Sequence, residues 1–218
     1  MNKNASKRTR PRSLEKPGRI VIISSPSGGG KTSICRRLLT PARKRRGWRF
    51  SISYTTRVKR RGERHGREYY FVDNEEFAAL VKDDFFAEYF KVHLYHYGTP
   101  RQPLEQVLNR GGVMLLDVDV QGAKRLKKLY PQAVTVFILP PSERALRQRL
   151  KRRGTETQTQ LEVRFENAKK EMRLFRDFEY AVVNDVLGEA VRKVRTIIEA
   201  HSSRTEYMIA EHLIKSMS

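Results

Sequence analysis

Apolar, β-branched residues occur in four short runs along the chain, separated by segments with helical spacing. The runs are Ile20–Ile23, Val113–Leu116, Val134–Leu139 and Tyr180–Val183. Continuous apolar runs of this length are typical of strands that are buried on both faces of a parallel sheet. Because helical patterns lie between and after these runs, the order of elements predicts an α/β layer fold with a parallel core sheet.

Five helices are predicted around this sheet. The first runs from Lys31 to Leu39, and the second follows Gly122 with Ala123, Leu126 and Leu129 on one face. The third runs from the N-cap Ser142 through Leu146 and Leu150, the fourth spans roughly Thr157 to Phe175, and the fifth starts near Glu189. Pro41 is expected to end the first helix, and Gly154 is expected to end the third.

The segment from Phe50 to Gly98 interrupts the alternation of strands and helices. It contains a basic turn from Arg57 to Arg67 and an amphipathic helical pattern around Glu75 to Val81. We interpret this segment as a lobe inserted between the first helix and the second core strand.

A glycine-rich turn follows the first apolar run. Residues Ser24 to Ser33 read Ser-Ser-Pro-Ser-Gly-Gly-Gly-Lys-Thr-Ser. Backbone N–H groups in such a turn converge on phosphate oxygens, and the following helix adds the positive end of its dipole. Lys31 would reach the outer phosphates, and Thr32 would ligate Mg²⁺. Ser25 stands where the strict motif has its first glycine, so an ordinary Gly-rich turn is the alternative.

Charge is distributed unevenly along the 218 residues, which carry a net charge of +21. Residues 1–19 contribute +6 and residues 36–67 contribute +12, whereas residues 68–218 are close to neutral. Such a field attracts nucleotides and also nucleic acid. We interpret residues 1–18 as a basic, disordered tail, with a transit-type segment or a nucleic-acid-binding arm as alternatives.

Composition excludes several classes of protein. No apolar stretch approaches the ~20 residues of a transmembrane helix, so no membrane partner is expected. The single cysteine, Cys35, excludes an internal disulfide and a cysteine-rich metal site, and it is expected to be a half-buried filler in a reducing compartment.

Two further groups of residues carry chemistry. Arginines 57, 60, 149, 153 and 164 could neutralise approaching phosphates, since the planar guanidinium binds two phosphate oxygens. Asp117 and Asp119 end the second predicted strand, where carboxylates suit Mg²⁺ hydration and the orientation of arginines. The alternative for this acidic pair is a turn that caps the following helix.

Several motifs in the correct order make the chain resemble the guanylate kinases from about Arg19 to near Glu199. The matching stretches are Ser24–Ser33, Ser51–Arg57, Gly62–Val72, Tyr97–Thr99, Leu116–Gly122, Leu139–Ser142, Arg149–Glu156 and Val183–Asp185. The resemblance implies a P-loop NTPase-type three-layer fold with an inserted nucleoside-monophosphate-binding lobe and a small lid.

The resemblance also implies a role for each matching residue. ATP would bind through Ser25, Pro26, Ser27, Gly28, Gly29, Gly30, Lys31, Thr32, Ser33 and Asn184. GMP would bind through Ser53, Arg57, Arg60, Tyr69, Glu88, Tyr97, Thr99, Asp117 and Asp119. Lys31, Arg57, Asp117, Arg149, Arg153 and Arg164 would be catalytic, and Thr32 would ligate the metal.

The resemblance implies a Mg²⁺-dependent transfer of the γ-phosphoryl group of ATP to GMP, and also to dGMP, in purine metabolism of the cytoplasm. The expected organisation is a core at 19–49 and 99–201, a GMP-binding lobe at 50–98, a lid at about 153–165, and a C-terminal extension at 202–218. Nucleic acid is expected only through the basic tail, and both a monomer and a homodimer stay open.

Two other classes of function compete with this enzyme. Guanylate-kinase-like scaffold domains bind peptides, but such domains typically lose the lysine or arginines that Lys31, Arg57 and Arg149 supply here. A related kinase with another phosphorylated acceptor is the second alternative; Ser53, Glu88 and Asp119 favour guanine over it, and only the resemblance places these three at one site.

Overall fold

The computed structural model describes residues 18–60, 62–92, 94–151 and 158–204. Nine strands and eight α-helices are found in these ranges. The strands are β1 (Arg19–Ser24), β2 (Trp48–Phe50), β3 (Tyr54–Thr55), β4 (Tyr70–Phe71), β5 (Phe86–Val92), β6 (Tyr95–Pro100), β7 (Val113–Asp117), β8 (Val134–Leu139) and β9 (Tyr180–Val183). The helices are α1 (Lys31–Leu38), α2 (Pro41–Arg45), α3 (Asn74–Lys82), α4 (Arg101–Asn109), α5 (Val120–Leu129), α6 (Glu143–Lys151), α7 (Gln158–Met172) and α8 (Leu187–His201), with a 3₁₀ turn at Arg173–Asp177.

The core is a five-stranded parallel sheet in the order β2-β7-β1-β8-β9. Four of its strands coincide with the predicted apolar runs. The fifth strand, Trp48–Phe50, was not predicted, because it is three residues long and its central residue, Arg49, is exposed. β1 lies at the centre, so the glycine-rich turn that follows it opens at the carboxyl edge of the sheet, where ligands of open α/β sheets bind.

Helices cover both faces of this sheet and complete three layers. On one face, Ile34 and Leu38 of α1 and Val194 of α8 pack on Val21 and Ile23. The opposite face buries a second set of apolar side chains, namely Ile20, Ile22, Met114 and Leu116 of the sheet with Leu104 of α4 and Ala123 and Leu126 of α5. Burial of an apolar side chain contributes roughly 1.5–3 kcal/mol, so these two layers provide most of the stabilisation of the core.

A second, four-stranded sheet is built from residues 54 to 100. Its strand order is β4-β3-β6-β5, and β6 pairs antiparallel with both neighbours. Aromatic rings cover this sheet: Phe77 of α3 stacks on Phe86 at 4.8 Å, and Tyr54 stacks on Tyr70 at 4.6 Å. The domain boundaries given above stay predictions.

Three sequence-based details of the helices were wrong. Leu129 was expected on the buried face of α5, but 55% of it is exposed, because a spacing of three residues drifts off one helix face. Cys35 is completely buried rather than half-buried. α5 begins at Val120 rather than after Gly122, since the carboxylate of Asp119 accepts a hydrogen bond from Gly122 N at 2.8 Å and caps the helix.

Two helices, α2 and α4, were not predicted. Both carry a proline in the first turn, Pro41 in α2 and Pro103 in α4, where a missing N–H costs nothing. Within the described ranges, no helix is both long enough and apolar enough to cross a bilayer. The tail at 1–17, Arg153 in the predicted lid and the extension from 205 lie outside the described residues.

Candidate active site

The glycine-rich turn is a compact loop between β1 and α1. Gly28 and Gly30 adopt positive φ angles of 86° and 92°, which glycine reaches without strain. Gly29 N donates to Pro26 O at 2.9 Å, and the hydroxyl of Ser25 donates to the same carbonyl at 2.9 Å. The buried Ser25 therefore closes the turn at the position where the strict motif has glycine. Lys31, Thr32 and Ser33 form the first turn of α1.

Helix α7 contacts this loop at Ser27. The guanidinium of Arg164 donates to the Ser27 hydroxyl at 3.0 Å, and the Ser27 backbone N–H donates to the Glu171 carboxylate at 3.0 Å. Arg164 and Glu171 both line the cavity above the loop. The predicted site residue Arg164 is thus placed at the loop together with a carboxylate that the sequence analysis did not select.

Arg149 and Asn184 support the loop from behind. The Asn184 amide donates to Gly29 O at 3.0 Å, and the Arg149 guanidinium donates to Asn184 O at 2.7 Å and Gly29 O at 3.4 Å. A Cβ on Gly30 would lie 2.4 Å from the Asn184 amide nitrogen. In this conformation both side chains hold the loop backbone, and their predicted contacts with ATP stay predictions.

Lys31, Thr32 and Asp117 form the polar centre of the site. Lys31 Nζ lies 2.9 Å from Asp117 Oδ1, and the Thr32 hydroxyl donates to Asp117 Oδ2 at 2.6 Å. Burial lowers the pKa of Lys31, but the charge and hydrogen bond of Asp117, together with Tyr69 and Asp119, outweigh burial and leave that pKa above its ordinary value. Lys31 is therefore a permanent cation at neutral pH.

Two connected cavities open at this centre. The larger cavity, of about 890 Å³, extends from the loop to Arg57, Arg60 and Arg164. The smaller cavity, of about 170 Å³, ends at Glu88 and Phe90. The side chains that line both cavities are Lys31, Ser53, Tyr69, Val92, Tyr97, Asp117 and Asp119. A phosphate-binding region and a smaller polar pocket therefore meet at shared walls.

Glu88 is the titratable group at the end of the smaller cavity. Only 6% of it is exposed; one carboxylate oxygen accepts from the Thr99 hydroxyl at 2.6 Å, and Oε2 has no partner among the described residues. Burial raises the pKa of Glu88 to about 7, the Thr99 hydrogen bond opposes this rise, and Asp119 adds to it. A buried carboxylate with a free oxygen is an acceptor for a ligand that carries N–H groups.

Arg57 is held at the wall of the larger cavity. Its guanidinium donates to both carboxylate oxygens of Glu63, at 2.9 and 3.1 Å, and lies 5.5 Å from the ring centre of Tyr69. Burial lowers the pKa of Arg57, but the hydrogen bond and the charge of Glu63, together with Tyr97 and Tyr69, outweigh burial and leave that pKa above its ordinary value. Burial raises the pKa of Tyr69, so its hydroxyl stays protonated and can donate.

The structure therefore brings the predicted site residues into one region, except Arg153, which is not described. Two roles were considered for the acidic pair, a role in the site and a cap for the following helix. Asp119 is in position for both, because it lines the cavities and also caps α5. Glu63, Glu171 and Phe90 were missed as site residues. Glu63 lies within the stretch Gly62–Val72 that matches the guanylate kinases, so the sequence contained a signal for it. The positions of Glu171 and Phe90 depend on helix and strand packing.

A phosphate loop at the carboxyl edge of a parallel sheet, joined to a second polar pocket, defines a P-loop nucleotide-binding protein. A family model described as guanylate kinase matches residues 17–201. The guanylate kinase of Caldanaerobacter subterraneus subsp. tengcongensis is 40% identical over 89% of this chain and 93% of its own length. The guanylate kinase of Clostridium tetani is 42% identical over 87% and 89%.

Comparison with solved structures agrees with these sequence matches. The crystal structure of guanylate kinase from Anaplasma phagocytophilum superimposes with a TM-score of 0.73 at 30% identity, over 90% of this chain and 92% of that chain. The chain belongs to the guanylate kinase family.

Proposed function

We propose that this protein transfers the γ-phosphoryl group of ATP to GMP, and also to dGMP, giving ADP and GDP or dGDP. The observation that carries the proposal is the junction of the two cavities at Lys31 and Asp117, with the buried carboxylate of Glu88 at the far end. Family membership supports the same reaction.

The smaller cavity would take the guanine ring. The unpartnered oxygen of Glu88 would accept hydrogen bonds from the ring N–H and exocyclic amine of guanine, and adenine presents the opposite pattern at that edge. Ser53, Thr99 and Asp119 would complete the polar lining. Because Thr99 already occupies one oxygen of Glu88, the carboxylate is oriented before the base arrives.

The GMP phosphate would lie between the cavities. We assign Arg57, Arg60, Tyr69 and Tyr97 to it, since Arg57, Tyr69 and Tyr97 are packed together and Arg60 lines the same wall. Its oxygen is already ionised near neutral pH and needs no strong general base. Catalysis would therefore depend on alignment and charge neutralisation.

The ATP phosphates would lie on the loop, with Lys31 and Arg164 neutralising the transferring group. Arg149, Arg153 and Asn184 complete the proposed ATP side, and closure of the lid would exclude water. Asp117 holds Lys31 and Thr32 in position through the contacts at 2.9 and 2.6 Å.

The residues present fit Mg²⁺. The ion prefers oxygen donors and keeps several waters while bridging phosphates, and the Thr32 hydroxyl and the adjacent Asp117 carboxylate are oxygen donors beside the loop. Thr32 would ligate the ion directly, and Asp117 would hold its waters. When bound, the ion supplies positive charge to the phosphate oxygens.

An ADP-release assay with GMP, dGMP, AMP and UMP as acceptors tests the proposal. We expect turnover with GMP and dGMP in the presence of ATP and Mg²⁺, and little with AMP or UMP. Turnover of AMP or UMP at the rate of GMP would contradict the proposed guanine pocket.

Lys31→Ala tests the phosphate side separately. We expect kcat to fall by at least roughly 10³-fold, because the variant lacks the ammonium group that would stabilise the negative charge of the phosphoryl group in the transition state. The variant should keep the circular dichroism spectrum of the folded chain. Lys82→Ala, a change of an exposed lysine in α3, is the matched control and should leave kcat unchanged.

A further inference from the structure

A basic surface, defined here as Arg37, Lys44, Arg45, Arg46 and Arg49, lies outside the site described above. All five residues are exposed. The sequence from residue 16 to residue 62 contains no aspartate or glutamate. Among the described residues, none of these five side chains forms an ion pair with a carboxylate. Their positive charge is therefore not neutralised within the described part of the chain.

Specific contacts join the segments that carry this basic surface. The guanidinium of Arg43 donates to Leu38 O at 2.9 Å, at the end of α1, and lies 5.6 Å from the ring centre of Trp48 in β2. The guanidinium of Arg49 donates to Lys44 O at 2.7 Å and Trp48 O at 2.9 Å. The ends of α1, α2 and β2 are thus fixed as one face.

This face lies at the amino edge of the core sheet. Arg46 and Gly47 directly precede β2, and Trp48 aligns with Val113 and Arg19 at the start of the neighbouring strands. The phosphate loop follows Ser24 at the other end of β1. A rise of ~3.3 Å per residue separates Arg19 from Ser24 by about 17 Å. Attraction of GMP or ATP into the cavities therefore does not account for charge at this edge.

The basic tail begins at the same edge. Gly18 precedes Arg19 of β1, and β1 lies two strands from β2 in the sheet order, which corresponds to about 10 Å. Residues 1–17 contain six lysines and arginines against Glu15. The folded basic surface and the attachment point of the tail are neighbours.

The chemistry of the surface selects a partner. Among the described residues, no large apolar side chain before Val58 is exposed, and Trp48 is buried. The segment 36–49 therefore offers neither an anchor for lipid tails nor an aromatic platform for unpaired bases. Regularly spaced phosphates match a group of exposed lysines and arginines. We propose that the basic surface binds the phosphate backbone of a double-stranded nucleic acid, independently of its base sequence.

Fluorescence anisotropy with the full chain tests this proposal. The probes are a short labelled RNA duplex and a DNA duplex of the same sequence, titrated between ~50 and ~200 mM salt. We expect binding that weakens steeply with salt, and the duplex that binds more tightly identifies the nucleic acid. Absence of binding to both duplexes at the lower salt concentration would overturn the proposal.

The variant K44Q/R45Q/R46Q locates the binding surface. We expect its affinity to fall roughly tenfold or more, and the slope of log K against log salt to fall by about 3. The control K82Q/K91Q/R144Q removes three exposed charges elsewhere and should bind nearly as well as the wild type. Equal losses in both variants would indicate a net-charge effect and contradict the proposed surface.

Two further measurements separate this surface from the catalytic cavities and from membranes. Saturating GMP and ATP should not displace the duplex, and K44Q/R45Q/R46Q should keep the kinase activity of the wild type. Displacement by nucleotides would place the duplex in the cavities. Flotation with phosphatidylserine vesicles, together with no duplex binding, would make the surface a lipid-binding one and refute the proposal.

Discussion

Glu88 shows how a single residue can determine substrate choice and also its dependence on pH. Its carboxylate is buried at the end of the smaller cavity, one oxygen is occupied by Thr99, and the other is unpartnered. Burial disfavours the ionised form, whereas hydrogen bonds from guanine would favour it. Binding of the base and ionisation of Glu88 should therefore be coupled.

Glu88→Gln should weaken the selection of GMP. The amide removes a charge-assisted hydrogen bond of about 2 kcal/mol and presents an N–H group to a donor of the base. We expect KM for GMP to rise roughly thirtyfold while KM for ATP changes little. Glu75→Gln, on the exposed side of α3, is the control. An unchanged KM for GMP in Glu88→Gln would refute the role assigned to Glu88.

The pH dependence of KM follows from the same residue. Since the pKa of Glu88 is raised to about 7, its carboxyl is mostly protonated below pH 7 and ionised above it. We expect KM for GMP to fall as pH rises from 6 to 8. The GMP phosphate also titrates, near pH 6, so the comparison is with Glu88→Gln, which should show a flatter profile. Identical profiles for the two proteins would show that Glu88 does not titrate in this range.

The raised pKa of Glu88 also makes the stability of the unliganded protein depend on pH, and this stability falls as pH rises. A carboxyl whose pKa is higher in the folded than in the unfolded chain stabilises the fold at low pH, and this contribution is lost as pH rises from about 4.5 to about 7. GMP should offset the loss, because its hydrogen bonds favour the ionised form.

At the scale of elements, the contact between α5 and β5 joins the core sheet to the smaller cavity. Gly122 of α5 faces the ring of Phe90, and Phe90 stacks on Tyr97 at 6.0 Å. A Cβ on Gly122 would lie 2.7 Å from the Phe90 ring. The helix can approach the strand this closely because position 122 has no side chain.

Gly122→Ala should therefore disturb both stability and GMP binding. We expect a loss of about 1–3 kcal/mol in the free energy of unfolding, because the ring must move, together with a higher KM for GMP. Gly188→Ala is the matched control, since that position in α8 has no neighbour within 4 Å. It should be neutral or stabilising by about 0.5 kcal/mol. Chemical denaturation measures both, and equal stabilities would contradict the close contact.

Sequence patterns predicted four of the five core strands, but they missed the short strand β2, the seven-residue strand β5 and the helices α2 and α4. Three of the four apolar runs are buried strands, because burial on both faces requires continuous apolar residues, and that pattern is visible without the structure. The fourth run was also expected to be buried, but β9 lies at the edge of the sheet and only its Val182 is buried. β2 depends on pairing with β7, and α2 depends on the hydrogen bond from Arg43 N to the Thr40 side chain. The pairing of β2 is a tertiary contact that no local pattern reports, whereas Thr40 followed by Pro41 is a local helix-start signal that was overlooked.

The residues of the candidate site also fall into two groups, those that local sequence predicts and those that only tertiary structure brings to the site. Lys31, Thr32 and the loop glycines are adjacent in sequence, so local chemistry was sufficient to select them. Glu171 contacts the loop from 144 residues away, and Phe90 lies in the cavity because β5 pairs with β6. Only the fold brings these residues to the site.

At the scale of the whole molecule, a net charge of +21 opposes the compact state. The charge is concentrated at residues 36–67, where Glu63 pairs with Arg57 and where Arg36 pairs with Glu68 just beyond this range. The remaining repulsion is between exposed groups, and salt at 0.1 M largely screens such interactions beyond about 10 Å.

Sodium chloride should consequently stabilise the protein. We expect the midpoint of thermal unfolding to rise as salt increases from ~20 to ~300 mM, because screening reduces the repulsion. K44Q/R45Q/R46Q should show a smaller rise, and K82Q/K91Q/R144Q should lie closer to the wild type. A midpoint that falls with salt would show that attractive pairs dominate the surface. The cytoplasmic location stays a prediction.

The complete burial of Cys35 has a practical consequence. Burial raises the pKa of this thiol well above its ordinary value, and the side chain is packed between α1 and the sheet. It is the only sulfhydryl in the chain, so maleimide dyes should leave the native protein unlabelled. A second cysteine placed on an exposed position of α3 would then accept a single fluorophore, without any need to replace the natural one.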